Sequence, residues 1–318
     1  KRIAEFSADN FLPIALSSGV VLGLANPTLG CLADAYRLSK FSTFGIFFIS
    51  GLTLRSDEIG AAAQAWPVGL FGLASILLIS PLLSKIILLL RLQPQEFVTG
   101  LAIFCCMPTT LSSGIALTRF AGGNSALALA MTVISNLLGI LIVPFSISKL
   151  IACGVGVSFP TEPLLRSLMT TLLFPLILGK VLREIFPALA HTVDANRRPL
   201  AVISAILLSF VPWIQISRSR SILLTVKPAT FVVAVIMGGF LHAILLGFNS
   251  SVIPALRLVT GGSKSPFGQD ENISALVLVA SQKTLPVMVA VVEQLGGALG
   301  SSGLLILPCV AVHLTQVV

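Results

Sequence analysis

Apolar residues run along this chain in long continuous stretches separated by short polar segments. The stretches fall at 11–29, 41–54, 66–92, 97–117, 126–150, 165–186, 200–216, 223–248, 273–292 and 299–318. Most reach the roughly 20 residues that an α-helix needs to cross the hydrocarbon core of a bilayer. The second spans only about 21 Å at 1.5 Å per residue, so it is expected to extend into its polar flanks. A transmembrane β-barrel would instead show alternation over segments of about ten residues. The pattern predicts an all-α polytopic membrane protein of ten transmembrane helices.

Composition strengthens this picture. A hydrophobic fraction of 55% with only 10% charged residues exceeds what a soluble globular chain tolerates. The 318 residues leave little loop sequence, so 1–318 reads as a single membrane domain with no sizeable soluble unit. The net charge of +8 is scattered through short loops without interleaved aromatics, which fits lipid headgroups and not nucleic acid. Basic residues divide almost equally between alternate loops, so charge does not set the orientation. Cys31, Cys105, Cys106, Cys153 and Cys309 lack metal or disulfide spacing and read as small packing residues. The first residue is Lys1 and not Met, which suggests a processed form.

An internal repeat divides the chain near its middle. Thr110-Leu111 precedes Gly122-Gly123 at the same spacing as Thr284-Leu285 precedes Gly296-Gly297, an offset of 174 residues. The offset covers five stretches, and an odd number per repeat inverts the second copy. The expected repeats run from about 1 to 150 and from about 160 to 318, and they set Lys283 opposite Thr109.

Three polar constellations interrupt the apolar stretches. Pro108-Thr109-Thr110-Leu111-Ser112-Ser113-Gly114 combines a missing backbone donor, hydroxyls and a glycine, which together break a helix and free its carbonyls. Freed carbonyls beside hydroxyls are hard oxygen ligands for a small cation; a simple proline kink is the other reading. Ser281-Gln282-Lys283-Thr284, just before Pro286, forms the second cluster. A lysine at the centre of a span costs about 3 kcal/mol on insertion scales and lies too deep to reach either surface easily. Such a residue is expected to face a cavity. Thr132, Ser135 and Asn136 share one helical face that can look toward the first break or bond between helices. Arg119, Asn124 and Glu293 read as solvated ends or gating pairs. His191, His242 and His313 read as packing or satisfied polar groups. No nucleophile elbow, zinc-protease helix, phosphate loop or dinucleotide fingerprint is present, so enzymatic activity is not expected.

PTTLSSGIALTRFAGGNSALALA (108–130), TVISNLLGILIVP (132–144) and ASQKTLP (280–286) resemble the bile acid:sodium symporter superfamily. The resemblance is nearest to the branch holding member seven of the solute carrier ten family and plastid sodium/metabolite cotransporters. It implies ten spans in two inverted five-helix repeats. Spans one, two, six and seven form a panel domain and the rest a core domain, with spans four and nine broken and crossed. It also implies sodium ions behind the crossing and substrate between the domains. Carried over by position, Ser112 and Ser113 follow the span-four break, Thr132, Ser135 and Asn136 lie in the span-five ligand segment, and Gln282 matches the span-nine glutamine. Ser112, Ser113, Thr132 and Asn136 are thus the expected sodium ligands; Thr109, Thr110, Ser135, Gln282, Lys283 and Thr284 complete the cation or substrate site.

Two departures bear on coupling. Leu278 stands where bile acid carriers place an acidic ligand, and Lys283 where they carry asparagine. A missing carboxylate and an added ammonium both oppose a bound sodium ion. The resemblance implies alternating-access transport of a small organic anion or metabolite, coupled to sodium or through Lys283 to protons, in a plastid envelope. The rival is a non-transporting regulator of ion homeostasis, such as calcium handling, that kept the carrier fold. Beyond a coupling ion, no cofactor is expected.

Overall fold

The structure is a computed structural model and describes residues 11–55, 65–110, 113–152, 154, 156, 161–262 and 265–317. Among the described residues the regular structure is all helical, with no strand. Helices α1 (Phe11–Ala25), α2 (Pro27–Ala35) and α3 (Leu38–Thr53) lead into α4 (Trp66–Ile87), α5 (Gln95–Cys105), α6 (Ser113–Phe120) and α7 (Ser125–Ala152). They are followed by α8 (Thr161–Ile185), α9 (Pro187–Ala195), α10 (Arg197–Leu223), α11 (Pro228–Val259), α12 (Asp270–Ser281), α13 (Leu285–Leu295) and α14 (Ser302–Val317). Among the described residues, six segments are long and apolar enough to cross a bilayer on their own, and the bent pair α1–α2 makes a seventh if counted as one.

The first apolar stretch is not one straight helix, as its pattern had predicted. It turns by 102° between α1 and α2. Pro27 forces the preceding residue out of the α region, and Asn26 is extended at φ −138°, ψ 104°. Asn26 then caps α2 by accepting from the Thr28 backbone N–H at 3.1 Å. Helix α3 starts at Leu38, so the short second stretch does extend into its N-terminal flank.

Two groups of helices pack internally. α1 packs on α10, α10 on α3 and α3 on α8. Gly51 of α3 and Gly179 of α8 meet backbone to backbone, since a Cβ on Gly51 would strike the Leu176 carbonyl and one on Gly179 the Phe48 carbonyl. The second group, α4 to α7 with α11 to α14, encloses the α12–α13 segment. In the most apolar part of that segment 89% of the residues are buried, against 22% in the corresponding part of the long helix α11. The outward faces carry large apolar side chains such as Leu22, Leu78, Ile86, Ile236 and Phe240, as a lipid-facing surface requires.

Candidate functional site at the junction of two helix breaks

The fourth and ninth apolar stretches are both interrupted. Between α5 and α6 the chain leaves the helix at Cys106 and resumes at Ser113, with Pro108 inside the gap. Between α12 and α13, Gln282 and Thr284 are extended at φ −91°, ψ 155° and φ −86°, ψ 127°. Pro286 lies in the first turn of α13, where a missing N–H costs nothing. A helix end inside an apolar core leaves carbonyls that must find donors.

Those donors come from neighbouring elements. The Thr284 backbone N–H donates to the Pro108 carbonyl at 2.9 Å. Asn136 Nδ2 on α7 donates to the Thr109 carbonyl at 3.0 Å, so the Thr132–Asn136 face does look at the first break. Thr109 Oγ1 donates to the Val279 carbonyl at 2.5 Å. His242 Nδ1 lies 3.0 Å from the Ser281 carbonyl and His313 Nδ1 lies 3.4 Å from the Lys283 carbonyl; both nitrogens must carry the proton, because a carbonyl only accepts. Both histidines are therefore satisfied polar groups.

Side chains tie the two breaks together. Thr110 Oγ1 donates to Gln282 Oε1 at 2.6 Å and accepts from the Gly114 N–H at 3.0 Å, capping α6. Ser113 Oγ reaches the same Gln282 oxygen at 3.4 Å. Gln282 Nε2 donates to the Gln316 carbonyl at 3.0 Å, and Gln316 Oε1 accepts from the Lys283 backbone N–H at 3.1 Å.

Lys283 is fully buried. Its ammonium donates to the Met107 carbonyl at 2.9 Å, the Ile76 carbonyl at 3.1 Å and Ser80 Oγ. All three of its protons are used, and every acceptor is neutral. Lys283 is not among the residues of the adjoining cavity, although its depth in the span suggested that it faces one.

That cavity holds about 810 Å³ and is walled by both helix groups. Thr110, Ser113, Thr132, Asn136, Thr284 and Pro286 form part of its wall. Among the described residues, Thr132 Oγ1, Asn136 Oδ1 and Thr284 Oγ1 are buried without a hydrogen-bond partner. Three orphaned oxygens on one cavity wall suit a hard cation better than an apolar ligand. Ser135 instead turns back to the Thr132 carbonyl at 3.1 Å. Ser112 lies outside the described residues.

Arg119 and Arg197 also line the cavity, and its described wall carries no Asp or Glu. Arg197 is anchored at 3.1 Å by Asp194, which also binds Arg183 at 2.8 Å and Arg55 at 2.9 Å. Hydrogen bonds from Arg183 and Arg55, and then Arg197, hold the Asp194 carboxyl well below the usual carboxylate range. At another contact between the helix groups, Glu293 accepts from Ser39 Oγ and from Gln215 Nε2 at 2.9 Å.

Sequence reasoning missed Gln316, the Ile76 carbonyl, and Asn249, which accepts from Ser75 Oγ at 2.7 Å and donates to Ser281 Oγ at 3.0 Å. Asn249-Ser250-Ser251 is a polar patch directly after the apolar stretch that ends at Phe248, and that was the available signal for Asn249.

The sequence profile of the SBF-like CPA transporter family matches residues 9–318. The chain belongs to this family of transporters. Among its relatives, the probable sodium/metabolite cotransporter BASS4, chloroplastic, of Arabidopsis thaliana is 64% identical over all of this chain and 72% of the relative. The protein of the same name from Oryza sativa subsp. indica is 61% identical over 99% of this chain and 75% of its own length. Sodium/bile acid cotransporter 7 of Danio rerio is 30% identical over 52% of this chain and 49% of its own. SBF-like CPA membership makes the chain a multi-pass membrane protein, and these relatives are named as cotransporters and not as enzymes.

Proposed function

We propose that the chain is a secondary active carrier that moves a small organic anion by alternating access, driven by sodium. One observation carries this reading: two broken helices join beside an 810 Å³ cavity whose wall bears Arg119, Arg197 and three unpartnered buried oxygens. Broken helices meeting within a membrane protein form the usual substrate and ion site of such carriers. A wall that carries Arg119 and the Asp194-anchored Arg197, and among its described residues no Asp or Glu of its own, favours an anion.

The contacts across the junction support two inverted five-helix repeats. A twofold relation with an offset of 174 residues converts the Pro108–Thr284 pair into Gln282–Thr110, and both pairs are hydrogen-bonded, at 2.9 and 2.6 Å. Ser75 and Asn249, also 174 apart, touch each other, as residues on such an axis should. Gly122 and Gly296 both take positive φ, 68° and 57°. Ten spans follow once the bent first stretch, the short α3 and α14 and the two interrupted stretches are each counted as one. The group of α1, α3, α8 and α10 serves as the panel and the remainder as the core.

Sodium is the coupling ion in this reading because Thr132 Oγ1, Asn136 Oδ1 and Thr284 Oγ1 supply neutral hard oxygens beside the cavity, which Ser113 also lines. The names of the plant relatives agree with sodium, and they point to the chloroplast as the compartment. Counterflow of organic anions into liposomes containing the purified protein tests the carrier reading. Saturable uptake supports it; a panel of carboxylates with no saturable uptake favours the regulator instead.

A further inference from the structure

We infer that the Lys283 ammonium is a resident cation, filling an oxygen cage that takes a sodium ion once the side chain is removed. The inference rests on the carrier reading only for its consequence in transport: the chain loads one exchangeable cation fewer than the same junction without the lysine.

The cage follows from the sequence around it. The π-helical turn Ser75–Ile79 bonds the Ser80 N–H to the Ser75 carbonyl, so the next donor in that register would be residue 81. Residue 81 is proline and has no N–H, which frees the Ile76 carbonyl for another donor. The Met107 carbonyl lies past the end of α5, beyond the last residue in helical register. Ser80 Oγ completes the set; it donates to the Ile76 carbonyl at 2.7 Å and presents its lone pairs to Lys283. Three neutral oxygens from α4 and from the first break thus converge on one positive centre. The C-terminal ends of α5 and α12 both terminate at the junction and add partial negative charge there.

A simple structural brace differs from this arrangement in what its removal does. Among the described residues no carboxylate lies within 4.0 Å of the Lys283 ammonium, so it does not hold an ion pair together. It balances carbonyl and helix dipoles, which is the task a metal cation performs in an oxygen site. Truncation leaves those dipoles uncompensated and opens space beside them. A brace removed leaves only a hole; a resident cation removed leaves a cation site.

The test counts bound sodium with radiolabelled sodium on purified protein in detergent and follows thermal unfolding in sodium or choline chloride at constant ionic strength. Lys283→Ala is expected to bind one sodium ion more than the parent, to be less stable than the parent in choline, and to recover in sodium. Ser80→Ala placed on Lys283→Ala is expected to weaken the added site at least tenfold. Equal sodium counts in the parent and Lys283→Ala, or an equal response of their stability to sodium, overturn the inference. If Lys283→Ala does not fold, the parent count decides: at most one bound sodium supports the inference and two overturn it. No outcome depends on substrate, so absence of saturable uptake removes the carrier reading and leaves this one standing.

Discussion

The Thr284 backbone N–H meets the Pro108 carbonyl at 2.9 Å, joining two helix breaks that lie 176 residues apart in the chain. Proline supplies the free carbonyl on one side and an extended residue supplies the free N–H on the other. Neither group has a partner in its own helix, so the two breaks satisfy each other. The junction is held by backbone chemistry first, and the side chains of Thr110, Gln282 and Lys283 then fix its register.

Thr110→Val is expected to destabilise the protein by about 1–3 kcal/mol, because it removes the α6 cap and leaves the Gln282 oxygen short of a donor inside the core. Thermal unfolding of the variant in a fixed lipid or detergent measures this. Val has nearly the shape of Thr, so a loss of that size reports the hydrogen bonds and not a cavity.

Arg119→Ala is expected to leave unfolding temperature within about a degree or two of the parent, since exposed substitutions usually change stability by no more than about 0.5 kcal/mol. Uptake of an anionic solute is expected to show a KM about tenfold higher, which corresponds to about 1.4 kcal/mol of lost attraction. Kinetics of uptake at two ionic strengths separate the cases: the effect shrinks in high salt when Arg119 acts by attracting the anion.

Asp194 binds three arginines, and its depressed pKa gives the contact a definite pH dependence. A carboxyl whose pKa falls on folding stabilises the fold above its unfolded value of about 3.9 and loses that contribution as pH drops through the folded value. The stability gap between the parent and Asp194→Asn is therefore expected to be full at pH 7 and to narrow only below about pH 4. Unfolding temperatures of both proteins across that range check the sign.

Glu293 links α13 to Ser39 of α3 and Gln215 of α10, so it joins the two helix groups. Glu293→Ala leaves the Gln215 amide without its acceptor and is expected to cost about 1–3 kcal/mol at that contact. In a carrier the cost falls on one conformation only. Labelling of Ser42→Cys by a membrane-impermeant thiol reagent, over the background of the parent, is expected to speed up when Glu293→Ala is added.

The hydrophobic pattern made most of the helices legible, because each apolar stretch is long enough to demand one. Both breaks were legible too: Pro108 and Pro286 with their hydroxyl neighbours leave few other conformations inside an apolar core. The turn at Asn26 was not read, although Pro27 marks it, because the apolar run continues through it. The surroundings of Lys283 were beyond sequence reading. Two of its three acceptors are the backbone carbonyls of Ile76 and Met107, which carry no trace in residue identity beyond the proline at 81; the third is Ser80 Oγ. Arg197 was likewise hidden, since its place on the cavity wall depends on how α10 packs against distant helices.

Solute uptake into liposomes with sodium and pH gradients imposed separately tests the central claim most directly, using the parent protein and Asn136→Leu. Uptake is expected to follow the sodium gradient at constant pH, to ignore a pH gradient at constant sodium, and to lose its sodium dependence in Asn136→Leu. Uptake that follows the pH gradient and is unchanged when sodium is removed contradicts the account.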